Sequence, residues 1–168
     1  MLFPRFALPI LFFSILSGGG AFALEASEWN QQGLDLFRAG NDSGAIEAYH
    51  QALSIQKDYP IALNNLGIAH YRSGDYPKAE ENFKRAIALK GDYVQAVVNL
   101  GLVYFRTGRY LDALQQYWKA KSIDPFYVKM RVNKRKAEEL LDEELRQHPN
   151  DPRLEKLREM KGKMENLP

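Results

Sequence analysis

The sequence predicts an all-α fold, a solenoid of stacked helix pairs, and three sets of repeated residues predict it. Gly33, Gly67 and Gly101 stand 34 residues apart, and a second glycine series, Gly40, Gly74 and Gly108, follows seven residues behind. Alanines keep the same spacing at Ala45, Ala79 and Ala113 and again at Ala52, Ala86 and Ala120. So do the aromatics Tyr49, Phe83 and Tyr117. A unit this short cannot bury its apolar face alone, so copies in phase imply stacking, each unit covering the next.

Taken in order, the chain opens with a segment outside the stack. Met1 to Ala23 carries one positive charge, Arg5, then an apolar run from Phe6 to Leu16, then small residues ending in Ala21-Phe22-Ala23. A charged start, an apolar centre and an A-x-A site are the order of a secretory signal peptide, with cleavage expected after Ala23. Residues 6–24 are also long enough, and nearly free enough of charge, to serve as an uncleaved anchor. Gly18 to Gly20 and the A-x-A site favour cleavage. The expected location is periplasmic, soluble after cleavage, with a secreted or membrane-anchored protein as the alternatives. Residues 24–127 then form the expected stack, in units at 26–59, 60–93 and 94–127.

The second unit shows the grammar. Its first helix reads IALNNLGIAHYRSG, with Ala62, Leu63, Leu66, Ala69 and His70 recurring along one face. Gly67 costs about 1 kcal/mol in a helix relative to alanine, so its return in every unit points to close backbone approach by the partner helix. Gly74 falls where the first helix should stop, because a glycine just past a helix end accepts the left-handed conformation. Asp75-Tyr76-Pro77 opens the second helix, with Pro77 in the first turn where its missing N–H is harmless. Phe83, Ile87 and Leu89 supply buried bulk, and Ala79 and Ala86 keep the crossing tight. All these positions are expected in the core.

Residues 26–127 resemble three tetratricopeptide repeats, a family with this 34-residue helix–turn–helix pattern. The third unit fits best, with Leu100-Gly101, Tyr104, Gly108, Tyr110, Ala113, Tyr117, Ala120 and Pro125 in family positions. The second has Gly91 where a proline is usual. In the first, Trp29 and Gly33 fit, but Gln32 stands where leucine is usual, and Asp42-Ser43-Gly44 replaces the opening of the second helix, so that Asp42 or Ser43 is expected to cap it. The resemblance implies a right-handed α-solenoid whose first helices line a concave groove that binds another polypeptide.

Beyond the repeats, residues 128–147 read as one long capping helix with an apolar stripe of Val132, Ala137, Leu140, Leu141 and Leu145. It should end near His148-Pro149, since proline disfavours helical geometry just before it. In residues 148–168, Asp151-Pro152 opens a short terminal helix carrying Leu154, Leu157 and Met160. The cap also carries Lys129, Arg131, Lys134, Arg135 and Lys136 ahead of Glu138, Glu139, Asp142, Glu143 and Glu144. Pairs such as Lys134–Glu138 and Arg135–Glu139 make this block a solvated helix face rather than a nucleic-acid or anionic-membrane site.

Composition removes several functions. With no cysteine there is no disulfide, thiol nucleophile or cysteine-linked lipid. Loss of residues 1–23 lowers the formal charge from +2 to +1, which gives no general attraction to nucleic acid. His50, His70 and His148 have no metal-ligand spacing, and His70 falls on a buried helix face. There is no phosphate loop or nucleophile elbow. No enzyme activity, cofactor or metal is expected.

What remains is the groove implied by the resemblance. Leu34, Ile68 and Leu102 form an aliphatic row, Phe37, Tyr71 and Phe105 an aromatic row, and Arg38, Arg72 and Arg106 a third, while Asn30, Asn64, Asn65 and Asn99 line the other end of the same helices. Such residues suit an extended peptide or a partner helix: amides for an exposed backbone, aromatics for contact area, arginine for a carboxylate. Some also follow the family's packing pattern, and arginine in a last turn suits the helix dipole. Certain family members grip the carboxylates of chaperone tails with a Lys, Asn and Arg clamp. Here Asn65 keeps one position, but Gln95 and Asn99 stand where Lys and Arg are needed, and Asn30 and Leu34 where Lys and Asn belong. Chaperone-tail binding is therefore not carried over. The arginine row, through Arg72, is expected to attract an acidic partner. A self-assembling stack and a membrane-tethered scaffold are the alternatives to an adaptor.

Overall fold

The computed structural model describes residues 20–131, 134–152, 154–155 and 158–159. In chain order the helices are α1 (Gly20–Arg38), α2 (Asp42–Ile55), α3 (Pro60–Arg72), α4 (Tyr76–Leu89), α5 (Val94–Arg106), α6 (Tyr110–Ile123), α7 (Pro125–Arg131) and α8 (Lys134–Gln147). There is no strand among the described residues. Residues 1–19, most of the expected signal segment, lie outside them. Gly20 to Ala23 form the start of α1, and Ala26 is the first buried side chain among the described residues.

The helices pair as the period predicts. α1 packs on α2, α3 on α4 and α5 on α6, while α2 meets α3 and α4 meets α5. The first helices also touch across units, α1 with α3 and α3 with α5, whereas the second helices have at most glancing contact with one another. A stack whose first helices lie closer together curves toward them, so α1, α3 and α5 line the inner wall.

The turns within the pairs are copies of one device. Gly40, Gly74 and Gly108 have φ of 81°, 83° and 75°, a region that favours glycine. At each, the glycine N–H reaches back three residues (to Phe37, Tyr71 and Phe105 carbonyls) and the next N–H reaches five (to Leu36, His70 and Tyr104). This double closure satisfies carbonyls that a helix end would leave bare. Asp75 then caps α4 by accepting from Lys78 N–H at 3.3 Å. For α2 the expected cap is corrected: Asn41, not Asp42 or Ser43, accepts from Gly44 N–H at 3.0 Å. Asn41 also closes the preceding turn, so the helix starts one residue earlier and Asp42 is left to point at a neighbouring unit.

The recurring mid-helix glycines are also explained differently from expectation. At Gly33 and Gly67 it is a ring, not backbone, that comes close: an added Cβ would lie 2.5 Å from Tyr49 Cε1 and 2.7 Å from Phe83 Cε1. Gly101 is looser, with Gln116 Cβ at 3.3 Å and the Ala113 carbonyl oxygen at 3.6 Å. Tyr49 and Phe83 are buried, each at the centre of a cluster that joins its own unit to the next: Tyr49 with Leu66 and Ala69, Phe83 with Leu100, Val103 and Tyr104.

The C-terminal part departs from expectation at its start. α7 begins three residues earlier, because Asp124 caps it by accepting from Tyr127 N–H at 2.9 Å and Pro125 fills its first position. α7 and α8 are two described helices, and residues 132 and 133 between them lie outside the description. Val128, Leu145 and Leu154 pack with Leu111, Leu114 and Trp118, covering the last repeat as a cap must. α8 ends at Gln147, next to His148-Pro149 as predicted. Val132, Leu157 and Met160, and the side chains of Ala137, Leu140 and Leu141, lie outside the described residues. Of the expected charge pairs, Arg135 Nε donates to Glu139 at 3.0 Å, and Lys134–Glu138 lies outside the described side chains.

Candidate functional site

The inner wall is laced together by bonds between residues 35 apart, one repeat period plus one. Asn65 Nδ2 donates to Asn30 Oδ1 at 2.9 Å, and Asn99 Nδ2 donates to Asn64 Oδ1 at 3.0 Å. Asn30, Asn64 and Asn65 are buried. The four asparagines thus join α1 to α3 and α3 to α5, each pair through one amide N–H and one amide oxygen.

The arginine row divides. Arg72 Nη2 donates to the Phe37 carbonyl at 2.8 Å and pairs with Asp42, and its guanidinium lies 3.4 Å from the centroid of the Phe37 ring. Arg106 Nε donates to the Tyr71 hydroxyl at 3.0 Å. Arg38 pairs with Asp35 at 3.2 Å on its own helix, both side chains exposed. Arg72, expected to meet an acidic partner, instead ties the first two units together and already pairs with a carboxylate of the protein.

The apolar rows divide as well. Leu34, Phe37, Ile68 and Tyr71 are half-buried and pack onto the inter-unit clusters. Leu102 is 43% exposed and Phe105 40%, and Tyr110 backs Phe105 edge-on at 5.7 Å. Gln95, at the start of α5, is exposed. The equivalent place in α3 is Ile61, 48% exposed, which sequence reasoning passed over although it stands 34 residues before Gln95. A tyrosine series at the same spacing, Tyr59, Tyr93 and Tyr127, was also legible and missed. Tyr93 is half-buried; burial, then the neighbouring Tyr127 and Tyr59, push its hydroxyl above the ordinary tyrosine value.

A second charge cluster joins α4 to the start of α6. Arg109 Nη1 donates to both Glu80 oxygens at 3.0 and 2.9 Å and Nε to Asp112 at 2.8 Å, with its guanidinium 4.1 Å from the Tyr104 ring centroid. Lys84 adds a 2.6 Å pair to Glu80. Burial alone would raise the Glu80 carboxyl, but the bonds from Lys84 and Arg109 outweigh it and hold it below the usual carboxylate value. His70 is buried, as its helix position predicts, and burial holds it below the ordinary histidine value. No cluster of three potential metal ligands occurs among the described residues, and no described helix is long and apolar enough to cross a membrane.

Comparison with known proteins agrees with this architecture. A tetratricopeptide repeat model matches residues 65–128 and a second TPR repeat model matches residues 33–74. No curated protein matches the chain. Among solved structures, the first TPR of Spaghetti (RPAP3) bound to the HSP90 peptide SRMEEVD is similar at 22% identity and a TM-score of 0.66, over 71% of this chain and 95% of that one. The Sgt2 TPR domain from Aspergillus fumigatus is similar at 28% identity and a TM-score of 0.64, over 76% and 85%. The second TPR domain of human RPAP3 in complex with the HSP70 peptide SGPTIEEVD is similar at 24% identity and 0.59, over 73% and 95%. With the 34-residue period, the three repeated turns and two family models that together span residues 33–128, the chain belongs to the tetratricopeptide repeat family.

Proposed function

We propose that this protein is a non-catalytic adaptor that docks a polypeptide against the inner wall formed by α1, α3 and α5, and that it works outside the cytoplasm after export through its N-terminal segment. One observation carries the binding role. Leu102 and Phe105 stay 43% and 40% exposed on a wall where Leu34, Phe37, Ile68 and Tyr71 pack onto the clusters between units. Large apolar side chains held rigidly at a concave surface are what a partner's side chains bury against. The solved neighbours that hold HSP90 and HSP70 peptides support a peptide as the partner's form. Export is supported by the order of charge, apolar run and small residues over Met1 to Ala23.

Two measurements test this. Pull-down from envelope extract with the wild type and a Leu102→Glu/Phe105→Ala variant should lose the partner in the variant alone; retention by both would move the site off this wall. Intact mass of the exported protein should place its first residue at Leu24, and a full-length mass would replace export by anchoring.

A second reading has its own observation. Phe126 and Met130 share one side of α7 and are 70% and 72% exposed, a pair that suits self-association. Light scattering would show a mass rising with concentration if that reading held, and a constant monomer mass otherwise.

A further inference from the structure

We propose that the segment bound at the inner wall presents large apolar side chains together with one carboxylate, and that Arg106 receives that carboxylate. This deepens the docking role above and rests on it. The three arginines of the row are placed alike but are not equally available. Arg72 is held by the Phe37 carbonyl, Asp42 and the Phe37 ring, and Arg38 by Asp35. Arg106 gives one N–H, from Nε, to the Tyr71 hydroxyl, and among the described residues no carboxylate pairs with it.

A guanidinium has five N–H donors. One is spent here, and the four on Nη1 and Nη2 of this otherwise exposed side chain have no bond to the described residues. The Tyr71 bond does more than occupy Nε: it fixes the orientation of the group across the α3–α5 seam, so less freedom is lost when a ligand arrives. Two parallel N–H bonds to one carboxylate are the geometry such a fork supplies.

The neighbours of Arg106 set the rest of the ligand's chemistry. Leu102, Phe105 and Arg106 are spaced three and four apart and share one face of α5. Tyr110 props Phe105 from behind, and Tyr76 lies against Tyr71 at 5.6 Å. The free cation therefore sits at the edge of an apolar and aromatic surface. A tail rich in acids would need several open cations in line, and the other two of this row are already neutralised. One acid beside apolar residues is what matches.

The test is selection of a random-peptide display library on the full chain, followed by fluorescence anisotropy of the enriched peptides. Enriched sequences should carry large apolar residues beside a single Asp or Glu. Arg106→Ala should weaken them about tenfold, the loss expected for one charge-assisted bond. Arg106→Lys should restore part of it. Changing the peptide acid to its amide should cost the same factor in the wild type and nothing further in Arg106→Ala. Arg106 is exposed, and circular dichroism of each variant checks the fold. Enriched peptides without an acid, or affinity unchanged in Arg106→Ala while Phe105→Ala weakens it, would overturn the carboxylate assignment and leave the docking wall standing. Acidic peptides without apolar residues would overturn the apolar part. Binding indifferent to both Phe105→Ala and Arg106→Ala, or no enrichment at all, would overturn the proposal together with the wall.

Discussion

Replacing Gly67 by alanine sets two opposed effects against each other. Alanine is favoured over glycine inside a helix by about 1 kcal/mol, so a site with room would gain stability. At Gly67 there is no room: the new methyl would lie 2.7, 2.9 and 3.0 Å from three atoms of the Phe83 ring, against about 3.5–4.0 Å for carbon atoms at ease. Phe83 is only 1% exposed and is itself held by Ala79, Leu100, Val103 and Tyr104, so the ring retreats only by pushing the next unit. Overpacking of this kind costs about 1–3 kcal/mol. The net expectation is a loss of up to about 2 kcal/mol. Gly101 is the control built into the chain. Its nearest neighbours are at 3.3 and 3.6 Å, a matter of tenths of an ångström, so Gly101→Ala should be neutral or gain up to about 1 kcal/mol. Urea unfolding followed by helical circular dichroism measures both, and in melting temperature the two variants should separate in opposite directions by about 2–4 °C per kcal/mol. If Gly67→Ala were as stable as Gly101→Ala, the ring contact would not be what fixes glycine in the repeat.

Other consequences follow from the bonds between units. Asn65→Ala leaves the buried Asn30 oxygen without its donor and should cost about 1–3 kcal/mol, while the Asn30→Ala/Asn65→Ala pair should cost clearly less than the two singles summed; an additive cycle would mean the amides do not interact. Arg72→Ala should lower stability by about 1 kcal/mol, its side chain being 39% exposed and solvent-screened, and leave peptide affinity unchanged; a loss of affinity without loss of stability would return Arg72 to the binding surface. His70 is held below its ordinary value of 6.5 by burial, so below that pH the unfolded chain takes up a proton that the folded chain refuses. Stability should therefore fall as pH drops from 6.5 toward the folded value, and His70→Gln should flatten that slope; an unchanged slope would place the titration elsewhere.

The fold was legible because a 34-residue period acts on backbone geometry. Glycine at positive φ, proline at a helix start and alanine at a crossing each do one job wherever they stand, and Gly40, Gly74 and Gly108 do that job three times over. The misses come where a residue could satisfy two neighbours. Asn41 both closes a turn and caps α2, which Asp42 and Ser43 in sequence gave no reason to doubt. Asp124-Pro125 lies near the end of the third unit, yet it starts α7, because a single residue there replaces the four that separate the helices of successive units. The rows fall on α1, α3 and α5 as their spacing requires, but a row that locks units together and a row that meets a ligand carry the same spacing. Only distances separate Arg72, paired with Asp42 and the Phe37 carbonyl, from Arg106, held by one hydroxyl.

The docking wall is tested most directly by a photo-crosslinking residue placed at Phe105, and in a second version at Arg85, which is exposed on α4. In cells, the Phe105 version should yield a covalent adduct with another polypeptide and the Arg85 version should not. Adducts from Arg85 alone, or none from Phe105, would contradict an adaptor that works through its inner wall.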